Sequence, residues 1–303
     1  MRSHHARRSI ISIALACATA TPLGARAQQP WDGLEEELRA RIARHDGTVG
    51  VAVIEPMTGR TLGIGENEPF PSASLIKVPI LIELFHQVEH GELRLDDPLI
   101  VLEVDKQPGS GVLQFLDAPH RLSVRDAAFL MIALSDNTAT NLLIDELGIR
   151  AVNERMDSIG APRTTLHSKT FLRSTSIALD SSEVYGLGVT TPLEMARLLA
   201  QIQRGEAVSD SASAAMRALL ADQFYGFGIP RYLSDVSVAH KTGDLSAARH
   251  DCGIVDTTGR DFVLCVLTKE NADQSWRVDN EAHLLIADLA RIVHRRFEAA
   301  STS

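Results

Sequence analysis

The 303-residue sequence predicts an α+β protein: an antiparallel sheet built from both ends of the chain, with a helical lobe inserted between them. Three observations predict it. β-like runs occur before residue 70 and return after residue 236. Between residues 123 and 203 apolar side chains recur at helical spacing and strand signals are nearly absent. The closing stretch, 280–298, is an amphipathic helix. Strands and helices are therefore segregated rather than alternating, which argues against a doubly wound parallel sheet. A composition 45% hydrophobic and 23% charged excludes a disordered or fibrous chain, and the length suits one large domain or two closely packed lobes. The expected division is a leader at 1–27, a sheet lobe from 28–70 with 215–303, and a helical lobe over 71–214.

Taken in order, residues 31–45 read as a surface helix with charges between its apolar positions. Residues 48–54 and 61–64 are β-like and joined by Pro56-Met-Thr-Gly59, a hairpin. A helix from about Ser74 to His90 is apolar almost all round, which places it inside a core, and Gly91 ends it. Ser123-Val-Arg-Asp126 has the form of a capping box. Residues 253–256 and 262–267 are β-like on either side of a turn at Thr257-Thr-Gly-Arg260. A symmetric turn centred on Thr258-Gly259 puts Cys252 and Cys265 opposite each other, either as a disulfide or as two small buried thiols.

The N-terminus reads as an export signal. Arg2, Arg7 and Arg8 precede an apolar run over 10–20, and Ala25-Arg26-Ala27 offers a small-residue cleavage site. The run is too short to span a bilayer, and no later stretch is long enough. Arg7-Arg8 has a faint twin-arginine character, so the route is open. Cys17 is a poor lipidation site after Ala14-Leu15-Ala16. An exported protein, periplasmic or extracellular, with no membrane anchor after cleavage near Ala27 is expected. Removing the leader's four arginines takes the formal charge from −9 to −13. So acidic a chain repels nucleic acid, which is excluded as a partner. The chain is taken to act as a monomer.

Three short motifs carry the chemistry. In Ser74-Leu-Ile-Lys77 the two polar residues lie three apart on one helical face. A serine hydroxyl needs a base, and a lysine can serve when burial disfavours its charge. Ser74 also opens its helix, where free N–H groups can stabilise an oxyanion. Ser135-Asp-Asn137 places a hydroxyl and an amide on one loop, able to relay a proton and hold a substrate amide. Lys241-Thr242-Gly243 closes a β-like run, where Lys and Thr can bind a carboxylate and Gly permits close approach. Each alone has a plainer explanation: a solvated pair, a helix cap, a strand end. Together, once each and in this order, they are specific.

This set resembles the penicillin-recognising serine hydrolases, and class A β-lactamases in particular. The separations, 61 residues from Ser74 to Ser135 and 106 from Ser135 to Lys241, are similar to that class. So are Pro108-Gly-Ser-Gly111, the extension Ser135-Asp-Asn-Thr-Ala-Thr-Asn-Leu-Leu143, Thr190-Thr-Pro192 and Arg249-His-Asp251, which together span most of residues 35 to 298. The resemblance implies a β-lactamase/transpeptidase-like fold and a β-lactamase that needs no cofactor. It implies that Ser74 is acylated, that Lys77 helps deprotonate it, and that Ser135 passes a proton to the leaving nitrogen. Asn137 would bind the substrate amide, while Lys241, Thr242 and Gly243 would line the place of its carboxylate. The N–H groups of Ser74 and Asp244 would form the oxyanion hole, and Arg249 would add positive charge near the carboxylate.

One part of the pattern is missing. Class A enzymes carry a Glu-x-x-Leu-Asn in their Ω loop, whose glutamate activates the deacylating water; residues 171–186 hold none. The matching place falls near Thr175, with Asp180 and Glu183 the nearest carboxylates. A D-Ala-D-Ala carboxypeptidase, a related peptidase or esterase, or a slowly deacylating penicillin-binding protein acting on a peptidoglycan stem peptide is the alternative. A non-catalytic muropeptide sensor is disfavoured by the intact Ser74 and Lys77. His86-Gln-Val-Glu-His90 matches a metal-binding pattern, but its histidines suit a helix C-terminus and no third ligand follows, so no metal is expected.

Overall fold

The computed structural model describes residues 29–301; the expected leader, the Ala27 cleavage site and Cys17 lie outside the described residues. The elements are α1 (Leu34–Ile42), β1 (Thr48–Ile54), β2 (Thr61–Ile64), β3 (Phe70–Pro71), α2 (Lys77–Glu89), β4 (Pro98–Val101), β5 (His120–Ser123), α3 (Val124–Ala133), α4 (Asn137–Leu147) and α5 (Ile149–Ser158). They continue with β6 (Thr165–Leu166), α6 (Leu179–Tyr185), β7 (Gly188–Thr190), α7 (Pro192–Gln203), α8 (Asp210–Ala221), β8 (Val238–Leu245), β9 (Ala248–Val255), β10 (Phe262–Lys269) and α9 (Glu281–Ser301). The main sheet has the order β2-β1-β10-β9-β8 and every pairing in it is antiparallel. Both ends of the chain thus supply one sheet, the α+β plan read from the sequence.

β10 is the central strand, and its unbroken apolar run follows from burial on both faces. Phe262, Leu264 and Val266 point with Val51 and Val53 toward α9, where Leu285, Ile286, Leu289 and Val293 meet them. Val263, Cys265 and Leu267 point the other way, into a second cluster with Ala52, Ile54, α2 and α7. The alternation is that of a pleated strand. Each such aliphatic side chain, fully buried, contributes about 1.5–3 kcal/mol. Cys252 pairs with Cys265 in register, and the two form a disulfide across β9 and β10.

α2 runs through the middle of the larger cluster, with Val78, Ile80, Leu81, Ile82 and Leu84 fully buried. Pro79 stands in its first turn, where a missing N–H costs nothing. The Ser123–Asp126 capping box is present at the start of α3, each residue accepting from the other's backbone N–H at 3.1 Å. Thr191 caps α7 ahead of Pro192, and α7 lies against β1 and β10.

The middle of the chain is less purely helical than the sequence suggested. β3, β7 and β6 form a small second sheet, and β4 pairs with β5. Strands of two to four residues are too short to show a period of two. The small sheet ties the loop between β6 and β7 to the segment just before Ser74, since Ser72 N donates to Gly188 O at 2.8 Å.

Candidate active site

Ser74 sits in a 3-10 turn, Ala73–Ile76, that runs directly into α2. The turn is entered through Ala73 at φ 45°, a left-handed conformation costly for a residue with a Cβ. Two contacts hold the entry. On one side is the Ser72–Gly188 bond. On the other, β8 comes so close that a Cβ on Gly243 would lie 3.1 Å from Ser72 O, Ser74 N and Leu75 N. The glycine of Lys241-Thr242-Gly243 is therefore a requirement of close approach.

The Ser135-Asp-Asn137 loop joins α3 to α4 with Ser135 at φ 53°. Asp136 holds it there. One carboxylate oxygen accepts from Ala139 N at 2.9 Å and caps α4; the other accepts from Val112 N at 2.7 Å and Leu113 N at 2.9 Å. Gly111, at φ 105°, presses on that carboxylate, and a Cβ there would overlap it. This is why the 108–111 block accompanies the loop. Asn137 donates from Nδ2 to Pro108 O at 2.8 Å.

The two lysines meet at Ser135. Lys77 Nζ lies 3.0 Å from Ser135 Oγ, 2.6 Å from Ser135 O and 3.0 Å from Asn137 Oδ1. Lys241 Nζ lies 3.2 Å from the same Ser135 Oγ and 3.0 Å from Thr242 O. Both lysines are fully buried. Burial, aided by the nearby Lys241 charge, holds Lys77 well below the ordinary lysine range. Burial brings Lys241 down to about 8, against the pull of Asp244 and Asp251. Among the described hydrogen bonds, those of Lys77 go to Ser135 and Asn137 and none to Ser74. A cavity of about 760 Å³ opens over this group; Ser74, Ser135, Asn137, Thr242 and Asp244 line it.

Two expected placements differ, those of Arg249 and Thr175. Arg249 does not line the cavity: its guanidinium is buried behind β8, donating to Leu245 O, to Ala248 O at 2.8 Å and to Ser275 O at 2.7 Å, with Trp276 stacked 4.5 Å away. A fully buried guanidinium spends its donors on the carbonyls within reach, so it braces the wall instead of facing a ligand. Thr175 is turned into its own loop, accepting from Lys169 N at 2.9 Å and donating to Leu172 O at 2.7 Å. Asp180 and Glu183 are solvent-exposed, Glu183 lying 3.8 Å from Arg173. The residues of this loop that line the cavity are Thr170 and Phe171 at its start and Tyr185, Gly186 and Leu187 at its end. Thr170 is pinned by Asn141, which accepts from its N–H at 2.8 Å and donates to its carbonyl at 3.0 Å, while its own buried hydroxyl has no partner.

Two histidines escaped the sequence reading. His250 is buried; its Nε2 donates to Pro71 O at 2.8 Å and its Nδ1 accepts from Thr268 N at 3.2 Å, anchoring the strand that precedes Ser74. Both partners demand a neutral ring, and burial lowers its pKa to about 4. His167 closes the base of the Thr170 loop through Gly186 O at 3.1 Å. The only hint in the sequence was the polar run 249–251. The His86 and His90 rings lie 4.2 Å apart, tilted by 56°, and among the described residues no group of three or more His, Cys, Asp or Glu could hold a metal ion. No helix among the described residues is long and apolar enough to cross a membrane.

A serine at a helix start, sharing a cavity with a second serine that two buried lysines reach, is the arrangement expected of an active-site serine hydrolase. A model of the beta-lactamase enzyme family matches residues 33–297, and the chain belongs to that family, within the penicillin-recognising serine hydrolases. It is similar to a beta-lactamase of Rhodobacter capsulatus, 26% identical over 291 residues and 93% of each chain. The structure of a beta-lactamase from Sphaerobacter thermophilus matches with a TM-score of 0.77 at 30% identity, over 90% of this chain and 98% of that one. A mutant of PBP-A, solved as an acyl-enzyme complex with penicillin G, matches with a TM-score of 0.76 at 26% identity, over 90% and 99%.

Proposed function

We propose that the protein is an exported β-lactamase that opens the lactam amide through an acyl-enzyme on Ser74. The observation that carries the reading is Ser135 Oγ within hydrogen-bond reach of both Lys77 and Lys241, at the edge of the cavity that holds Ser74. Ser74 Oγ adds to the lactam carbonyl and its proton passes to the Lys77 amine, which burial keeps available as a base. The backbone N–H groups of Ser74 and Asp244 receive the developing oxyanion. The C–N bond breaks, and Ser135 gives its proton to the leaving nitrogen. Lys77, one bond away, then returns the proton it took. Protonated Lys241 polarises Ser135 and, with Thr242 and Gly243, shapes the place of the substrate carboxylate; Asn137 holds the acyl amide.

Export is supported by the leader-like N-terminus and by a disulfide, a bond that persists in oxidising compartments. Turnover of nitrocefin, lost in Ser74→Ala, is the expected result; no turnover, or one stoichiometric burst, overturns the reading.

A second reading, a D-Ala-D-Ala carboxypeptidase or a slowly deacylating penicillin-binding protein, is favoured by one observation. The loop between β6 and β7 lines the cavity with Thr170, Phe171, Tyr185, Gly186 and Leu187, none of them a carboxylate, and Asp244 is the one carboxylate among the lining residues. A hydroxyl cannot replace a carboxylate as general base near neutral pH, and losing such a base costs about 10²–10⁴ in rate. Intact mass followed after mixing with penicillin separates the two: a vanishing adduct on Ser74 marks the lactamase, a lasting one the binding protein.

A further inference from the structure

Phe171 occupies the cavity wall in a conformation that its own backbone disfavours. It is the third residue of a turn that Leu172 N closes on Lys169 O at 3.2 Å, and its φ of 60° is left-handed, a place that turns give to glycine or asparagine. Its side chain is 65% exposed, although Thr170 beside it is buried and held at both backbone groups by Asn141. The ring reaches across to the 108–111 block. A Cβ on Gly109 would lie 3.5 Å from Phe171 Cε2 and Cζ and 3.1 Å from Asn137 Nδ2. The ring and the Asn137 amide thus flank one point of the wall, left open because Gly109 has no side chain, and all three residues line the cavity. Backbone strain of this kind concentrates where a chain contacts a ligand, and an aromatic ring left in water gains most from an apolar partner.

We propose that Phe171 is a specificity-determining residue: its ring receives the acyl side chain beside the amide that Asn137 holds, and it selects β-lactams whose acyl group carries an aromatic ring. The inference rests on the reading of this cavity as the acyl-transfer site and deepens it. A substituent on an amide held at Asn137 leaves that amide next to the Phe171 ring. An aromatic substituent there removes apolar surface of both rings from water, and edge or offset contact between the rings adds to that gain. A short aliphatic substituent ends before it can cover the ring.

Binding without chemistry tests it. Dissociation constants of benzylpenicillin and of 6-acetamidopenicillanic acid, which keeps the amide and lacks the ring, are measured on Ser74→Ala and on Ser74→Ala/Phe171→Gly. Glycine accepts the left-handed turn, so the loop keeps its path. The preference for benzylpenicillin should fall by about fivefold in the double variant, while the acetamido compound stays within about twofold of its affinity for Ser74→Ala. Phe171→Leu, which keeps a side chain over Gly109 but no ring, carries the same expectation if glycine loosens the loop. Phe171→Tyr keeps the ring and should keep the preference. An unchanged ratio, an equal loss for both ligands, loss of the preference in Phe171→Tyr, or undetectable binding of benzylpenicillin to Ser74→Ala overturns the proposal. The acyl-transfer reading fails separately, by absence of a penicillin adduct on wild-type Ser74.

Discussion

Ser135 Oγ lies 3.2 Å from Lys241 Nζ across 106 residues of chain, and the same oxygen lies 3.0 Å from Lys77 Nζ. One hydroxyl therefore joins two buried amines whose ordinary proton affinities have both been lowered. In the proposed mechanism, removing it breaks the proton path to the leaving nitrogen. Ser135→Ala should slow acylation by about 10²–10⁴, read as adduct formation in rapid-quench mass spectra. A change smaller than about threefold would remove Ser135 from the path.

The pH profile should carry two limbs. Lys77 must be neutral to accept the Ser74 proton, so the rate falls on the acid side as pH drops through its lowered pKa. Lys241 must be charged, so kcat/KM falls as pH rises through about 8. Lys241→Arg supplies a cation that does not titrate in this range and should move the alkaline limb up by at least about one pH unit. An unmoved limb would assign it to another group.

His250 links stability to pH. Its folded pKa of about 4 lies below the ordinary value of about 6.5, so the fold prefers the neutral ring. The stability it supports is complete above about pH 6.5 and is lost as pH falls toward 4, by about 3 kcal/mol in all. Denaturant melts of wild type and His250→Gln at pH 7 and pH 4 measure it. The variant should lose less stability than wild type over that interval; an equal loss would place the linkage elsewhere.

Thr170 lines the same cavity as Ser74, and its buried hydroxyl has no partner. Thr170→Glu should speed release of the penicillin adduct, by about tenfold or more, given what a positioned base contributes. Since the backbone there is held at both its N–H and its C=O by Asn141, the loop should keep its path. Adduct lifetime in the variant, unchanged or longer, would show that the cavity takes its water from another side.

The disulfide closes a segment with a sequence separation of 13 between two inner strands. Its reduction, or a Cys252→Ala/Cys265→Ala pair, should cost about 3 kcal/mol of unfolding free energy. Thermal melts with and without dithiothreitol check this, and an unchanged midpoint would count against it.

Much of the fold was legible because burial writes a period. The 48–54 and 61–64 strands, the symmetric 257–260 turn with its opposed cysteines, and the apolar helix after Ser74 all follow from local alternation or helical spacing. The small β3-β7-β6 sheet was not legible, because its strands owe their existence to partners far along the chain. The same holds in the site. Ser74, Ser135, Asn137 and Thr242 were found by motif and share one cavity. Thr170 was missed in favour of Thr175, since counting along a loop says nothing of which side chain its turns present inward.

Read alone, the chain already names the groups at hand: a serine and a lysine one turn apart, a Ser-Asp-Asn loop, a Lys-Thr-Gly strand and a segregation into strands and helices. How those groups are used came from packing. It turned Lys77 toward Ser135, buried Arg249 behind β8, left Thr170 facing the cavity and made His250 a neutral clamp. Periodicity reports only which face of an element is buried. Partners, charge and proton affinity depend on what packs against that face from residues tens to hundreds of positions away, and on how much water is left there.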